Sequence, residues 1–432
     1  MTTRHVLHQR LLRVPRPSDK RLAVRVTPDA LRHIRAGHPW VFEESVTSIS
    51  HEAIAGDLAV IFDNDRKFVA LALYDPDSPI QFRIIHVGKP APIDADWWHA
   101  TIRRALDRRA PFTTAADADD LAYRIFNGEN DGVSGLIVDR YADVLVIKLY
   151  SAVWFPHLVK VVNALLDVTG CCGVVLRLAR NLQVRETFGL TDGDVIAGNV
   201  PDGPIRFVEG GLHFDADVRA GQKTGHFLDQ RANRISVGAM AAGRDVLDVF
   251  ASTGGFSVHA AAGGARSVHA IDLSAPTLAA AERNMALNDA LDTVKACAFT
   301  TEVGDAFEVM VTLARAGVNY DLVIVDPPSF AQRQSNVEGA LRAYTRLTHL
   351  ALRLVRPGGT LLQASPPAQT TRYPKRLRSA SPAMWQKCRI SRRCRGGVCK
   401  ARSMASRCCW ATIGWCMKPD CAARRWRQSW VC

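Results

Sequence analysis

"DVLDVFASTGGFSVHAA", residues 245–261, runs from an apolar strand through a turn of small residues into a helix. Gly254 and Gly255 allow close backbone approach, and the helix start offers free N–H donors to a polar or anionic group. Outward from this stretch the chain alternates apolar strands and helices: "SVHAIDLS", "APTLAAAERNMALN", "YDLVIVDPP", "GALRAYTRLTHLALRLV" and "GTLLQAS". Near-continuous apolar strands separated by helices predict a parallel, doubly wound α/β sheet.

Acidic residues close the strands of that sheet. Asp248 ends the first beside the glycine turn, and Asp272 ends the second, at the distance of an acid that binds ribose hydroxyls at a topological switch point. No G-x-G-x-x-G is present, so the spacing does not signal a dinucleotide enzyme. Asp305 follows the third strand, where a carboxylate can meet an adenine amino group. Asp326-Pro327-Pro328 follows the fourth, with Phe330 close behind as an aromatic for a planar target. Singly, each has a bland reading: glycines turn chains and prolines terminate strands. In this order the four together are far more specific.

With these motifs the chain resembles class I S-adenosyl-L-methionine-dependent methyltransferases. More narrowly, it is similar to the bacterial large-subunit rRNA 5-methylcytosine methyltransferases that carry an N-terminal PUA domain. The strings "RAGHPWVFEESV", "NGENDGVSGLIVDRYAD" and "KTGHFLDQR" carry that similarity over residues 21–365. It implies S-adenosyl-L-methionine as cofactor, held by Asp248, Phe250, Thr253, Gly254, Gly255, Asp272, Asp305 and Asp326. It implies substrate contacts at Pro327, Pro328 and Phe330, and large-subunit rRNA as partner. His33, His38 and Trp40 are assigned to packing of the PUA-like part rather than to chemistry. No metal is implied.

The resemblance also exposes a departure. Carbon 5 of cytosine is a weak nucleophile, so a cysteine thiolate adds to the neighbouring ring carbon and the resulting enamine takes the methyl group. In the family that cysteine comes after the fifth strand, in a Ser-Cys-Ser setting. Here "TLLQAS" is the strand, Ser365 matches the first serine, and the next residue is Pro366. The three cysteines before it, Cys171, Cys172 and Cys297, read as buried structural residues.

Composition changes at the same point. Residues 366–432 hold 16 of the 55 Lys/Arg, one of the 42 acids (Asp420) and eight of the 11 cysteines, so the whole net charge of +13 resides there. The tail has no histidine and no C-x-x-C, which argues against zinc. It shows no apolar periodicity. Its residues are those a shifted frame of a GC-rich gene yields, and we read it as an out-of-frame continuation that leaves the fifth strand a bare edge. A genuine Arg/Trp-rich RNA-binding arm is the competing reading.

The expected organisation is therefore four segments. Residues 1–90 form a small β-rich PUA-like domain with a basic start, nine Lys/Arg against two acids in residues 1–35. Residues 91–215 form an α+β middle domain, 216–365 a Rossmann-like methyltransferase domain with an incomplete sheet, and 366–432 the aberrant tail. No run of about 18 apolar residues or secretory signal is present, which suggests a cytoplasmic protein without membrane partners. The oligomeric state stays open, a homodimer included. Two other functions remain open: methylation of an exocyclic amine, which needs no cysteine and uses a similar Asp-Pro-Pro-aromatic motif, and non-catalytic RNA binding.

Overall fold

The computed structural model describes residues 6–110, 122–330, 337–365 and 384–389. Two compact units emerge, one of residues 1–235 with 283–290, the other of 236–282 with 291–432.

The first unit contains two sheets. After the short helix α1 (Gln9–Leu12), strands β1 (Leu22–Val26), β2 (Trp40–Val41), β3 (Val46–Ile49), β4 (Leu58–Phe62), β5 (Phe68–Tyr74) and β6 (Phe82–Val87) assemble in the order β2-β6-β5-β4-β1-β3. In β1, Leu22, Val24 and Val26 are buried while Ala23 and Arg25 face out, the period-2 pattern of a half-buried strand. Helix α2 (Pro28–Arg35) starts where Thr27 Oγ1 accepts the Ala30 N–H and Pro28 fixes the first turn.

Helix α3 (Ala95–Arg109) is capped by Asp94 and leads into the second sheet. Strands β7 (Ala122–Asn127), β8 (Leu136–Tyr141), β9 (Val144–Leu149), β10 (Gly173–Leu178) and β11 (Val195–Gly198) lie in reverse chain order. Helix α4 (Leu158–Thr169) makes the crossover between the parallel strands β9 and β10. A hairpin of β12 (Ile205–Glu209) and β13 (Leu212–Ala216) comes next. The two sheets share a core in which Leu71, Leu73 and Ile85 pack with Trp98, Leu145, Trp154 and Leu176.

Helix α5 (Arg231–Gly238) leads to the second unit's sheet, of β14 (Asp245–Val249), β15 (Ser267–Asp272), β16 (Ala298–Val303), β17 (Tyr320–Val325), β18 (Val355–Ser365) and β19 (Met384–Arg389). Its order is β16-β15-β14-β17-β18-β19, and every pair but the last is parallel. Helices α6 (Gly255–Ala262), α7 (Ala275–Ala286), α8 (Asp292–Ala296), α9 (Ala306–Arg315) and α10 (Val337–Leu354) connect the strands. Alternation splits the sheet between two cores. Val246, Leu322, Ile324 and Leu362 pack with Phe256 and Ala260 of α6, while Leu247, Val323, Val325 and Leu361 pack with Met310 of α9 and Leu347 and Leu354 of α10. Apolar residues at every position of β17 beyond Asp321 result from this double burial.

One expectation fails at the sheet's edge. Strand β18 is not bare: β19, inside the basic tail, pairs with it antiparallel from Thr360↔Arg389 to Ser365↔Met384. An exposed edge offers unpaired N–H and C=O groups that any extended backbone can satisfy, so the pairing needs no apolar pattern in the incoming segment. The remainder of the tail, Pro366 included, lies outside the described residues.

Candidate active site

The order of the parallel strands reverses between β14 and β17, and the crevice at their carboxyl ends is where such sheets bind ligands. The loops after β14 and β17 meet there, with Asp326 N–H donating to Val249 O at 3.4 Å. All eleven sequence-predicted site residues belong to this unit.

The loop after β14 is strained. Phe250, Ser252 and Gly254 have φ of 66°, 50° and 75°. Two of these are not glycine, a conformation that costs of order 1–3 kcal/mol and collects at ligand sites. Glycine is required at 254 twice over, because a Cβ there would also stand 2.7 Å from the Ala281 Cβ on α7. Gly254 caps α6, and Gly255 is its first residue.

Asp248 is fully buried on the α6 face of β14. Its Oδ2 accepts the Ser257 hydroxyl at 2.7 Å, while its Oδ1 is buried without a hydrogen-bond partner. Burial first, then the nearby carboxylates of Asp326 and Asp272, push its pKa up to about 7 against the Ser257 bond. A buried carboxyl with one unspent oxygen is a site for a donor from a bound group, since leaving it empty is costly. Sequence alone did not single out Ser257, whose position one turn into the helix was its only signal.

Asp272 does more than wait for a ligand. Its Oδ2 accepts Ser252 N–H at 2.9 Å, and its Oδ1 accepts Ser274 N–H at 3.0 Å. The carboxylate thus fixes the strained loop, yet a carboxylate has about four acceptor sites and keeps room for a diol. Asp305 is exposed and caps α9, its Oδ1 accepting from Phe307 N–H and Glu308 N–H. Thr253 is half-buried in the loop.

In the β17 loop, Pro327 is buried, Pro328 exposed and Phe330 half-buried. The Phe330 ring is engaged by Tyr344 of α10 at 4.8 Å and by Phe307 of α9 at 6.1 Å between centroids. The Tyr344 hydroxyl donates to Pro328 O at 3.4 Å and accepts Phe330 N–H at 3.5 Å. Tyr344 therefore clamps the Asp326–Phe330 loop. It was missed because, in sequence, it is one aromatic in an amphipathic helix.

The cysteines divide. Cys171 is buried, and burial raises its thiol pKa. Half-buried Cys297 is pushed up to about 11 by burial. Cys172 corrects the expectation of a buried residue: it is exposed, its thiol 3.3 Å from Asp143 O, because it lies in the turn after α4 where no helix or sheet covers it.

In the first unit, His38 packs edge-on against Trp40 at 5.9 Å, and the Trp40 indole N–H donates to Ser134 Oγ at 2.8 Å. The Trp40 bond joins "RAGHPWVF" to "NGENDGVSG". Within "KTGHFLDQR", Thr224 donates to Asp139 Oδ2 at 2.6 Å, and Asp139 takes both ends of the Arg124 guanidinium at 2.8 and 3.0 Å. Arg234, just beyond it, forms a buried two-bond pair with Glu209, each 2.6 Å long.

Residues 131–373 match the family described as S-adenosylmethionine-dependent methyltransferase, and residues 24–86 match the PUA-like domain family. A relative from Deinococcus radiodurans, named ribosomal RNA large subunit methyltransferase, is 48% identical over 81% of this chain and 86% of its own. A ribosomal RNA large subunit methyltransferase I from Pseudoalteromonas translucida is 31% identical over 77% of this chain and 83% of its own. Among solved structures, a protein from Streptococcus mutans described as a SAM-dependent methyltransferase superposes with a TM-score of 0.66 at 22% identity. It covers 81% of this chain and 87% of its own, and supports the fold. Among the described residues, no helix is long and apolar enough to cross a membrane, and no cluster of three or more ligating side chains could hold a metal ion.

Proposed function

The chain belongs to the S-adenosylmethionine-dependent methyltransferases with a PUA-like domain, and on that premise we propose that its acceptor is large-subunit rRNA and its lineage methylates carbon 5 of a cytosine. S-Adenosyl-L-methionine, when bound, supplies an electrophilic methyl group. The unspent Oδ1 of Asp248 below a strained loop supports cofactor binding at the β14 end, with Asp272 and Asp305 for its hydroxyl and amino groups. Asp326 and the loop that Tyr344 clamps would bound the base.

The observation that carries the carbon-5 reading is a register. Val325 lies opposite Gln363 in the parallel β17–β18 pair, so the two strands finish at the same end of the sheet, where the Asp326–Phe330 loop begins. The position after Ser365 is where the family that the chain resembles carries its nucleophile, and β18 leads to it from beside β17. Proline occupies it and has neither thiol nor hydroxyl. We hold the chain as written to be impaired for this reaction, and residues 366–432 to be an out-of-frame continuation. The domain limits given from sequence and a cytoplasmic location belong to the same proposal.

RNA binding has support in the first unit. Arg13, Arg16, Lys20, Arg21 and Arg25 are exposed and form no ion pair among the described residues. Exposed cations of this kind position a phosphate backbone without reading sequence. The test uses the full chain with methyl-labelled cofactor and large-subunit rRNA, and then nucleoside analysis. No 5-methylcytosine is expected from this chain, whereas a version continued in the frame that restores Ser-Cys-Ser should form it. An N-methylated nucleoside from either protein would instead select amine methylation.

A further inference from the structure

Helix α10 does more than cover the sheet. Its outer side carries Arg342, Arg346, His349 and Arg353, spaced four, three and four residues apart and so aligned on one helix face. All four are exposed, and together with Leu341, Thr345 and Leu350 they line a depression of about 500 Å³. From Arg342 to Arg353 the helix rises about 16 Å. That is the length of about five stacked nucleotides at roughly 3.4 Å each.

Two features separate this ridge from an ordinary solvated face. First, a surface helix normally intersperses acids with its bases, because like charges at this spacing weaken it; here α10 carries one acid, Glu338, near its start. Arg346 and Arg353 form no ion pair among the described residues. Second, the ridge runs into the site. The Arg346 guanidinium stands over the Phe307 ring at 4.9 Å, Phe307 contacts Phe330, and Phe330 contacts Tyr344. The chain's own tail, with 16 bases and one acid, is electrostatically unsuited to cover it.

We propose that the α10 ridge is a phosphate-binding track in the catalytic unit, which holds the backbone of single-stranded RNA so that its base enters at the Asp326–Phe330 loop. This rests on the RNA reading above and adds to it a second contact surface, apart from the basic N-terminal segment. Arg346 and Arg353 act as positioning residues through charge, so lysine serves in their place and glutamine does not.

The experiment measures binding of a single-stranded oligoribonucleotide to the full chain as salt is varied. With Arg346→Gln and Arg353→Gln together, the slope of log affinity against log salt should lessen by about 1.4, since each single-strand contact contributes roughly 0.7. Affinity near 0.1 M salt should fall roughly 10- to 30-fold. The paired Arg→Lys variant should keep the slope, and calorimetric cofactor binding should be unchanged in both. An unchanged slope in the glutamine variant, alongside a reduced one in Arg13→Gln/Arg16→Gln, overturns the ridge and leaves the RNA reading intact. Loss of self-association in the glutamine variant, with RNA binding unaltered, assigns the ridge to a second copy of the chain and overturns the proposal as well. Failure of the unaltered protein to bind RNA at low salt overturns both.

Discussion

The two halves of the catalytic sheet differ in how completely their loops are determined. At β14 and β15 every turn is tied down: Asp272 holds Ser252, Gly254 abuts Ala281, and Ser257 holds Asp248. At β18 the strand runs in register with β17 as far as Gln363, and the residue after Ser365 has no reactive group. On the proposed assignment the cofactor contacts lie at or before Asp326, whereas the acceptor side needs both the Asp326–Phe330 loop and a nucleophile after Ser365, so the first can be intact while the second is not. The two functions should therefore come apart in experiment.

The largest expected effect tests that separation. This chain should bind cofactor yet form 5-methylcytosine at least about 10³-fold more slowly than a version with the cysteine restored in its native setting, as loss of a nucleophile generally costs at least this much. Turnover within tenfold of the restored protein, measured by methyl incorporation, would erase the contrast between the halves. Next, Gly254→Ala should break the cofactor half alone. A left-handed alanine costs about 1–2 kcal/mol, and the contact with Ala281 adds about 1–3 kcal/mol. Urea denaturation should show a loss in that range, with cofactor binding undetectable by calorimetry. A stable variant that binds normally would mean the loop can relax.

Asp248 sharpens the same half through pH. Its folded pKa, about 7, lies above the ordinary carboxyl value of 3.8. The folded state then holds a proton that the unfolded chain has released, so between pH 4 and pH 7 stability falls as pH rises. The fall is at most about 4 kcal/mol, and the slope disappears above the folded pKa. Asp248→Asn cannot titrate and should flatten thermal stability across that window. It also replaces the unspent oxygen or its partner, which should weaken cofactor binding about 5- to 30-fold. A variant retaining the full pH slope would assign the slope to other carboxyls.

Much of the catalytic unit was legible because its strands are buried on both sides and each helix is punctuated. "YDLVIVDPP" reads as a central strand with a terminator, and "GALRAYTRLTHLALRLV" as the helix that follows it. The glycine turn and its four acids could be placed by strand ends alone. What those acids bond to could not. Asp305 as a helix cap and Asp272 as a loop anchor depend on backbone N–H groups brought there by the fold. The exposure of Cys172 and the pairing of β19 were illegible for a related reason: neither can be read from residue type. One depends on which turn goes uncovered, the other on a free edge that accepts any extended backbone.

The smallest effect concerns Tyr344, where the acceptor half is held from outside the strand. Two contacts are in play, its ring against Phe330 and a pair of long hydrogen bonds, 3.4 and 3.5 Å, to the loop backbone. Bonds of that length are weak, while an aromatic pair is worth about 0.5–1.5 kcal/mol beyond its burial. Tyr344→Phe keeps the ring and should cost less than about 1 kcal/mol in chemical denaturation. Tyr344→Leu loses the aromatic pair and should cost more. Equal losses in the two variants would show the hydroxyl, not the ring, to be the clamp, and the loop would then depend on two hydrogen bonds to one side chain. Cofactor affinity should be unchanged in both, because Asp272 anchors the β14 loop at Ser252 and Ser257 holds Asp248, and neither hydrogen bond involves α10. A loss of cofactor binding in Tyr344→Phe would mean that the two halves are coupled through Asp326, whose N–H meets β14 at Val249.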